Sequence, residues 1–262
     1  TMKILKIKKV GNSKYQLTLE NQDVVTTYED LLLKYGTLYH KEVTEDELEQ
    51  LLKETSTSDV YYKSVKKITT KLMSVHDYKK WLKQYHLKKE EEEQLIKRLK
   101  EVGLLNDQVY ANAYVSDQSR LSKYGKGKIE QGLKEHGIGK LEQEKALQEI
   151  DELWMYEKLQ QMIFKKVEQN HRYSNQQLKQ KLVSEFISLG YEKADILECL
   201  SHVKWKEDTA LLEKELEKVV MRAKRKHQGR ELMAYVKNKL YQKGFSLEQI
   251  NACIEKNNSF FE

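Results

Sequence analysis

The residues in this sequence that most plainly could do chemistry are its cations. Lys63, Lys66, Lys67 and Lys71 recur at three- and four-residue steps, and Lys79, Lys80 and Lys83 follow. Arg120, Lys123, Lys126 and Lys128 surround Gly125 and Gly127, and Arg222, Lys224, Arg225, Lys226 and Arg230 bunch further on. Such groups bind phosphate or carboxylate, and the planar guanidinium of Arg does so through paired hydrogen bonds. Arg120, Lys126, Lys128, Arg222 and Arg225 are therefore the candidate contacts to a partner, and the two glycines would let the backbone approach that partner closely. An ordinary reading competes with this one. Lysine runs are usually solvated helix faces, and cations near a helix C-terminus complement its dipole.

Catalytic and metal chemistry find little support. Tyr110 and Tyr114 stand one helical turn apart and could stack bases, although that spacing suits core packing better. Packing is also the default for Trp81, Trp154 and Trp205. Glu90–Glu93 form an acidic run whose consecutive positions point in different directions on a helix, which suits a helix start and not a metal site. Gly139-Lys140 lacks a phosphate-binding loop, with Lys134 where its first Gly belongs and Leu141 after the Lys; Gly125-Lys126-Gly127 has Glu130 in place of a third Gly. No His-Glu-x-x-His occurs among the seven histidines. Cys199 and Cys253, the only cysteines, offer no zinc spacing and read as small buried hydrophobes. No catalysis, cofactor or metal is expected.

These side chains need a scaffold, and the composition says which kind. The 262 residues contain no Pro, where about 13 would be ordinary. Proline breaks helices, so its absence, with abundant Lys, Glu, Leu and Gln, predicts a mainly helical chain. The net charge, 47 − 41 = +6, is ordinary for this length and alone says little about nucleic acid. No apolar run is long enough to span a membrane, no secretory signal opens the chain, and the cysteine usage suits the cytoplasm. Thr1 ahead of Met2 reads as an added residue. The first residues differ from the rest. Lys3–Val10, Tyr15–Leu19 and Val24–Tyr28 predict a three-strand meander, covered by a helix over Glu29–Tyr35 that Gly36 ends. Thr44-x-x-Glu47 is a capping box for a short helix to about Lys53, and Thr55–Ser58 reads as a polar linker.

From Asp59 onward the pattern is helical and repeats. Gly190 and Gly244 lie 54 residues apart, with Leu178, Leu182, Phe186 and Leu232, Val236, Leu240 at matching upstream positions. Cys199 matches Cys253. Stepping back 53 residues gives Gly137, and 51 more gives His86. A period above 50 without strand signal fits three helices per copy, four times over. The organisation expected is a small N-terminal β-rich subdomain at 2–56 and three-helix repeats at 57–106, 107–152, 153–204 and 205–262. Each unit is too small to bury a large core alone, so neighbours share faces and the array is elongated, a monomer built for binding.

The residues also resemble a known family. Leu99-Lys-Glu-Val-Gly-Leu-Leu-Asn-Asp-Gln-Val-Tyr-Ala111 at the first-to-second repeat junction, Arg120 with Gly125-Lys-Gly-Lys-Ile129, and Leu133-Lys-Glu-His-Gly-Ile138 are similar to the RecX family, regulators of the RecA recombinase. The resemblance covers about residues 59 to 258, and the β-rich start resembles the extension on longer RecX proteins of low-GC Gram-positive bacteria. It implies a non-enzymatic protein that binds the RecA–DNA filament, touching single- or double-stranded DNA through its basic faces, and damps strand exchange, ATP hydrolysis and RecA-assisted repressor cleavage in DNA repair and the SOS response. Two other classes stay open: a free-standing DNA-binding repeat protein acting without RecA, and an adaptor for some other protein. An enzyme is a distant fourth.

Overall fold

The computed structural model describes residues 1–261. Among them thirteen α-helices accompany one four-stranded antiparallel sheet. The chain divides into two compact units, one of residues 1–110 with 136–138, the other of 111–135 with the chain from Gly139 onward.

The first unit opens on the expected meander. β1 (Met2–Lys9), β2 (Lys14–Leu19) and β3 (Val24–Tyr28) pair antiparallel, with Ile7 opposite Leu17 and Leu17 opposite Val25. α1 (Glu29–Lys34) follows, and Gly36 sits at φ +64° just beyond it. A fourth strand, β4 (Glu42–Val43), pairs with Met2 and Lys3 and gives the order β3-β2-β1-β4. Two residues carry no readable alternation, so the pattern misses it. Ile4, Leu17, Leu19, Val25, Leu31, Leu32, Val43, Leu48 and Leu51 close the core beneath the sheet.

The expected linker is absent. α2 runs unbroken from Glu45 to Thr70, so Thr55–Ser58 are helical and the 56–57 boundary falls inside a helix. Hydroxyl residues usually compete with helix hydrogen bonds, but here they bond back to the preceding turn. Thr55 donates to the Leu51 carbonyl at 2.6 Å, and Thr57 to that of Lys53 at 3.3 Å. Thr55 is also buried within 2.6 Å of the Thr27 hydroxyl on β3. Lys14 and Tyr28 both reach Asp59, the former at 2.8 Å, tying the sheet to the middle of α2. The far end of α2 packs with α3 (Val75–Leu82) and α4 (Lys89–Glu101) around Val60, Ile68, Tyr78, Leu82, Leu95 and Leu99.

α5 (Asp107–Leu121) leads into the second unit, which holds α6 (Lys126–Glu135), α7 (Lys140–Gln148), α8 (Glu152–Glu168), α9 (Asn175–Ser188) and α10 (Lys193–Ser201). It closes with α11 (Thr209–Ala223), α12 (Gly229–Gln242) and α13 (Leu247–Lys256). The helices come in trios, as the period predicts. α7 ends at Gln148, and Asp151 caps the next helix, accepting from the Trp154 amide at 3.0 Å.

The aligned residues of the repeat share one backbone need. His86, Gly137, Gly190 and Gly244 all take positive φ, at 50°, 69°, 88° and 82°, where the second helix of each trio ends. A side chain there costs about 1–2 kcal/mol, which explains glycine in three copies and makes His86 the strained exception. The apolar residues upstream are buried at the predicted four-residue steps, and Cys199 and Cys253 are buried free thiols.

Candidate nucleic-acid interface

Gly125 and Gly127 do let backbone come close, but the backbone is the chain's own. The Gly125 amide donates to the Leu189 carbonyl at 2.8 Å and the Gly127 amide to Gly190 at 3.0 Å. A Cβ on Gly125 would stand 2.7 Å from the Gly190 carbonyl, so only glycine fits. The N-terminus of α6 thus receives carbonyls from the end of α9, and opposite ends of two helix dipoles meet. The loop expected to cradle a partner is instead a joint between successive trios.

The next joint uses side chains. Ser174, the N-cap of α9, accepts from the Gln177 amide at 3.3 Å and donates to the Lys243 carbonyl beyond α12 at 2.6 Å. Gln177 reaches the Gln242 carbonyl at 3.3 Å, and Asp208 accepts from the Asn175 amide at 3.0 Å. The first unit has a counterpart. Asp107 accepts from the Val75 amide at 2.8 Å, and His136 Nδ1 lies 2.6 Å from Asp77 beside the start of α3. The Asn106-Asp107 pair now has a physical meaning. Asn106 caps its own helix, accepting from Gln108 and Val109 at 3.0 and 3.2 Å, while Asp107 caps the second helix of the preceding trio.

The five candidate contacts fall into two groups. Arg120 is exposed on α5. Lys126 opens α6, exposed, and pairs with Glu152 at 3.2 Å; Lys128, half-buried, donates to Gln131 at 2.9 Å. Arg120 and Lys126 both adjoin the start of α8, since Arg120 lines a cleft with Asp151 and Trp154 while Lys126 holds Glu152. Arg222, near the end of α11, and Arg225, just past it, form a separate exposed group with Lys224, Lys226 and Arg230. The lysines of the first trio are exposed as well, with Lys63 over the Tyr85 ring and Lys80 near Asp77 at 3.8 Å.

Most aromatics pack, as their spacing suggests. Tyr110 lies edge-on to His136, and Tyr114 is half-buried against Gly132, with burial pushing its hydroxyl pKa up. Trp81 contacts Tyr78 and Tyr85, and Trp205 donates to the Leu200 carbonyl at 3.4 Å. Trp154 departs from the expectation. The residue is 39% exposed and lines a cleft of about 580 Å³. Position on the first turn of α8, facing a groove between the first helices of two trios, is what sequence spacing could not show. The Cys199 thiol is pushed up by burial, consistent with an inert hydrophobe. Among the described residues no three His, Cys, Asp or Glu side chains gather to hold a metal, and no helix is long and apolar enough to cross a membrane.

Comparison with known proteins meets this geometry. The family model described as RecX, second three-helix domain, matches residues 106–147, from Asn106 through α7. The curated "Regulatory protein RecX" of Halalkalibacterium halodurans is 28% identical over 258 residues, covering 94% of this chain and 96% of its own. That of Listeria monocytogenes serotype 4a is 22% identical over 262 residues, covering 98% and 97%. Among solved structures, a crystal structure of regulatory protein RecX superposes with TM-score 0.67 at 20% identity, covering 78% of this chain and all of its own. RecX from Lactobacillus salivarius superposes with TM-score 0.52 over 56% of this chain, also at 20% identity, and both show the fold. This chain thus carries the second three-helix domain of RecX over 106–147 and is similar from end to end to proteins named regulatory protein RecX.

Proposed function

We propose that this chain is a non-catalytic regulator that binds the RecA–DNA filament and mainly inhibits RecA's recombinase, ATPase and coprotease activities. The observation that carries this reading is alignment along nearly the whole length with proteins named regulatory protein RecX. The geometry supports it. Helical trios present cations on α5, on α6 and around the end of α11, where Arg120, Arg222 and Arg225 are exposed. Several weak contacts on linked modules add through effective concentration, so a repeat protein can hold a polymeric partner without a deep pocket. Arg120, Lys126, Lys128, Arg222 and Arg225 are the proposed contacts.

The test is RecA's DNA-dependent ATP hydrolysis, titrated with purified protein. Suppression is expected well below one molecule per RecA. Suppression only when the protein saturates the DNA, relieved by added DNA, would instead identify a free-standing DNA-binding protein. No effect on RecA would leave an adaptor.

A further inference from the structure

The cleft beside Trp154 has the chemistry of a site for one unstacked base. It is bounded by Asn112, Ser116 and Arg120 on α5, by Glu149 and Asp151 in the turn after α7, and by Trp154. Its volume of about 580 Å³ is within the range of small-molecule pockets. Lys158 fixes the indole. Its ammonium donates to the Ser119 carbonyl at 2.7 Å and lies 5.1 Å from the Trp154 ring centre. Burial pulls the Lys158 pKa down, so this cation is held against the ring and removed from the solvated surface. The two carboxylates are occupied: Asp151 caps α8, and Glu149 accepts from the Asn112 amide at 3.3 Å. Arg120 is the exposed cation at the rim.

We infer that this cleft binds a nucleobase of single-stranded DNA, stacked on Trp154, with Arg120 on the adjoining phosphate. An aromatic face supplies sequence-tolerant stacking and a nearby guanidinium supplies the charge, a combination that suits a single strand and not a duplex, whose bases are already stacked. Ser116 offers a hydroxyl to the base edge. The inference rests on the reading above only in taking DNA as a partner.

The experiment uses the full chain, a labelled oligothymidylate of about 12 nucleotides and a duplex of the same length, with binding read by fluorescence anisotropy in the absence of RecA. Trp154→Ala is expected to weaken single-strand binding about tenfold and duplex binding by less than about twofold. Trp154→Phe retains most of the single-strand affinity, because a ring remains. Arg120→Ala weakens both and lowers the salt slope by about one. Unchanged single-strand affinity in a folded Trp154→Ala variant, or equal losses on strand and duplex, overturns the proposal. So does emission of Trp154, isolated by difference from Trp154→Phe, that RecA alone quenches and oligothymidylate does not, since the occupant is then protein. Inhibition of RecA ATPase, measured separately, bears on the function above and not on this site.

Discussion

The second unit contains two versions of one joint. Between the trio of α5–α7 and that of α8–α10, the start of α6 meets the end of α9 chiefly through backbone, with Gly125, Gly127 and Gly190 in contact and the Tyr191 hydroxyl donating to the Tyr124 carbonyl at 3.4 Å. Between the trios of α8–α10 and α11–α13, the start of α9 meets the end of α12 through Ser174 and Gln177, and the start of α11 through Asp208. Both satisfy free amides at one helix start and free carbonyls at another helix end. The first brings main chains together and leaves no room for a side chain. The second inserts side chains and tolerates adjustment. One repeat contact is thus met by two chemistries: a Cβ on Gly190 would strike the Lys128 main chain at 2.1 Å, whereas one on Gly244 would meet the Ser174 hydroxyl at 2.7 Å, a side chain that can shift.

The largest effect that tests this contrast is Gly190→Ala. The new Cβ would strike the Lys128 backbone, and φ is +88°. Strain and overpacking together are expected to cost about 3–5 kcal/mol, read as a fall in thermal midpoint and lost amide protection at Gly125–Ile129. An alanine variant as stable as the parent would show that the backbone joint is looser than drawn. Next is Ser174→Ala, which removes an N-cap and the donor to the part-buried Lys243 carbonyl. About 2 kcal/mol is expected in chemical denaturation, less than at Gly190 because no atom collides. A Ser174→Ala cost equal to that of Gly190→Ala would erase the distinction between the joints.

These particular residues also show what a sequence can reveal. The period was legible because His86, Gly137, Gly190 and Gly244 answer a local demand, a left-handed helix end, which residue type reports directly. Thr44 was legible as a cap for the same reason, its hydroxyl bonding the Glu47 amide three residues on. Gly125 and Gly127 were legible as sites of close approach, but not what approaches, because that lies more than sixty residues along the chain. Thr55–Ser58 read as a linker because the burial against Thr27 that makes helix preferable is tertiary. The exposure of Trp154 likewise depends on how α5 and α8 leave a groove, which no periodicity encodes.

The joints should also differ in their response to acid. Burial lifts the Glu215 carboxyl, but hydrogen bonds from Lys218 and Lys243 outweigh it and hold its pKa below the ordinary 4.5. Lys243 is the residue whose carbonyl accepts from Ser174, so this ion pair buttresses the side-chain joint. A carboxyl with a lowered folded pKa contributes stability in full above its unfolded value and loses it as pH falls through the folded value. Amide protection at Ser174–Gln177, corrected for intrinsic exchange, should therefore fall between about pH 5 and pH 3, ahead of that at Gly125–Lys128. Glu215→Gln should lower protection at neutral pH and flatten this difference. Parallel losses at both joints, unchanged by Glu215→Gln, would show that acid acts elsewhere.

The smallest effect decides how Lys126 is used. Its pair with Glu152 occupies the place that Asp107 and Asp208 hold at the other joints, near the start of a second helix and the start of the next trio's first helix. Yet the two side chains are 51% and 81% exposed, where solvent leaves an ion pair worth no more than about 0.5 kcal/mol. Lys126→Ala should therefore shift the denaturation midpoint barely at all while reducing the salt slope of DNA binding by about one. That outcome separates a contact residue from a joint residue within one loop, because Gly125 and Gly127 on either side carry the structure. A stability loss approaching that of Ser174→Ala, with an unchanged salt slope, would move Lys126 from the interface to the joint.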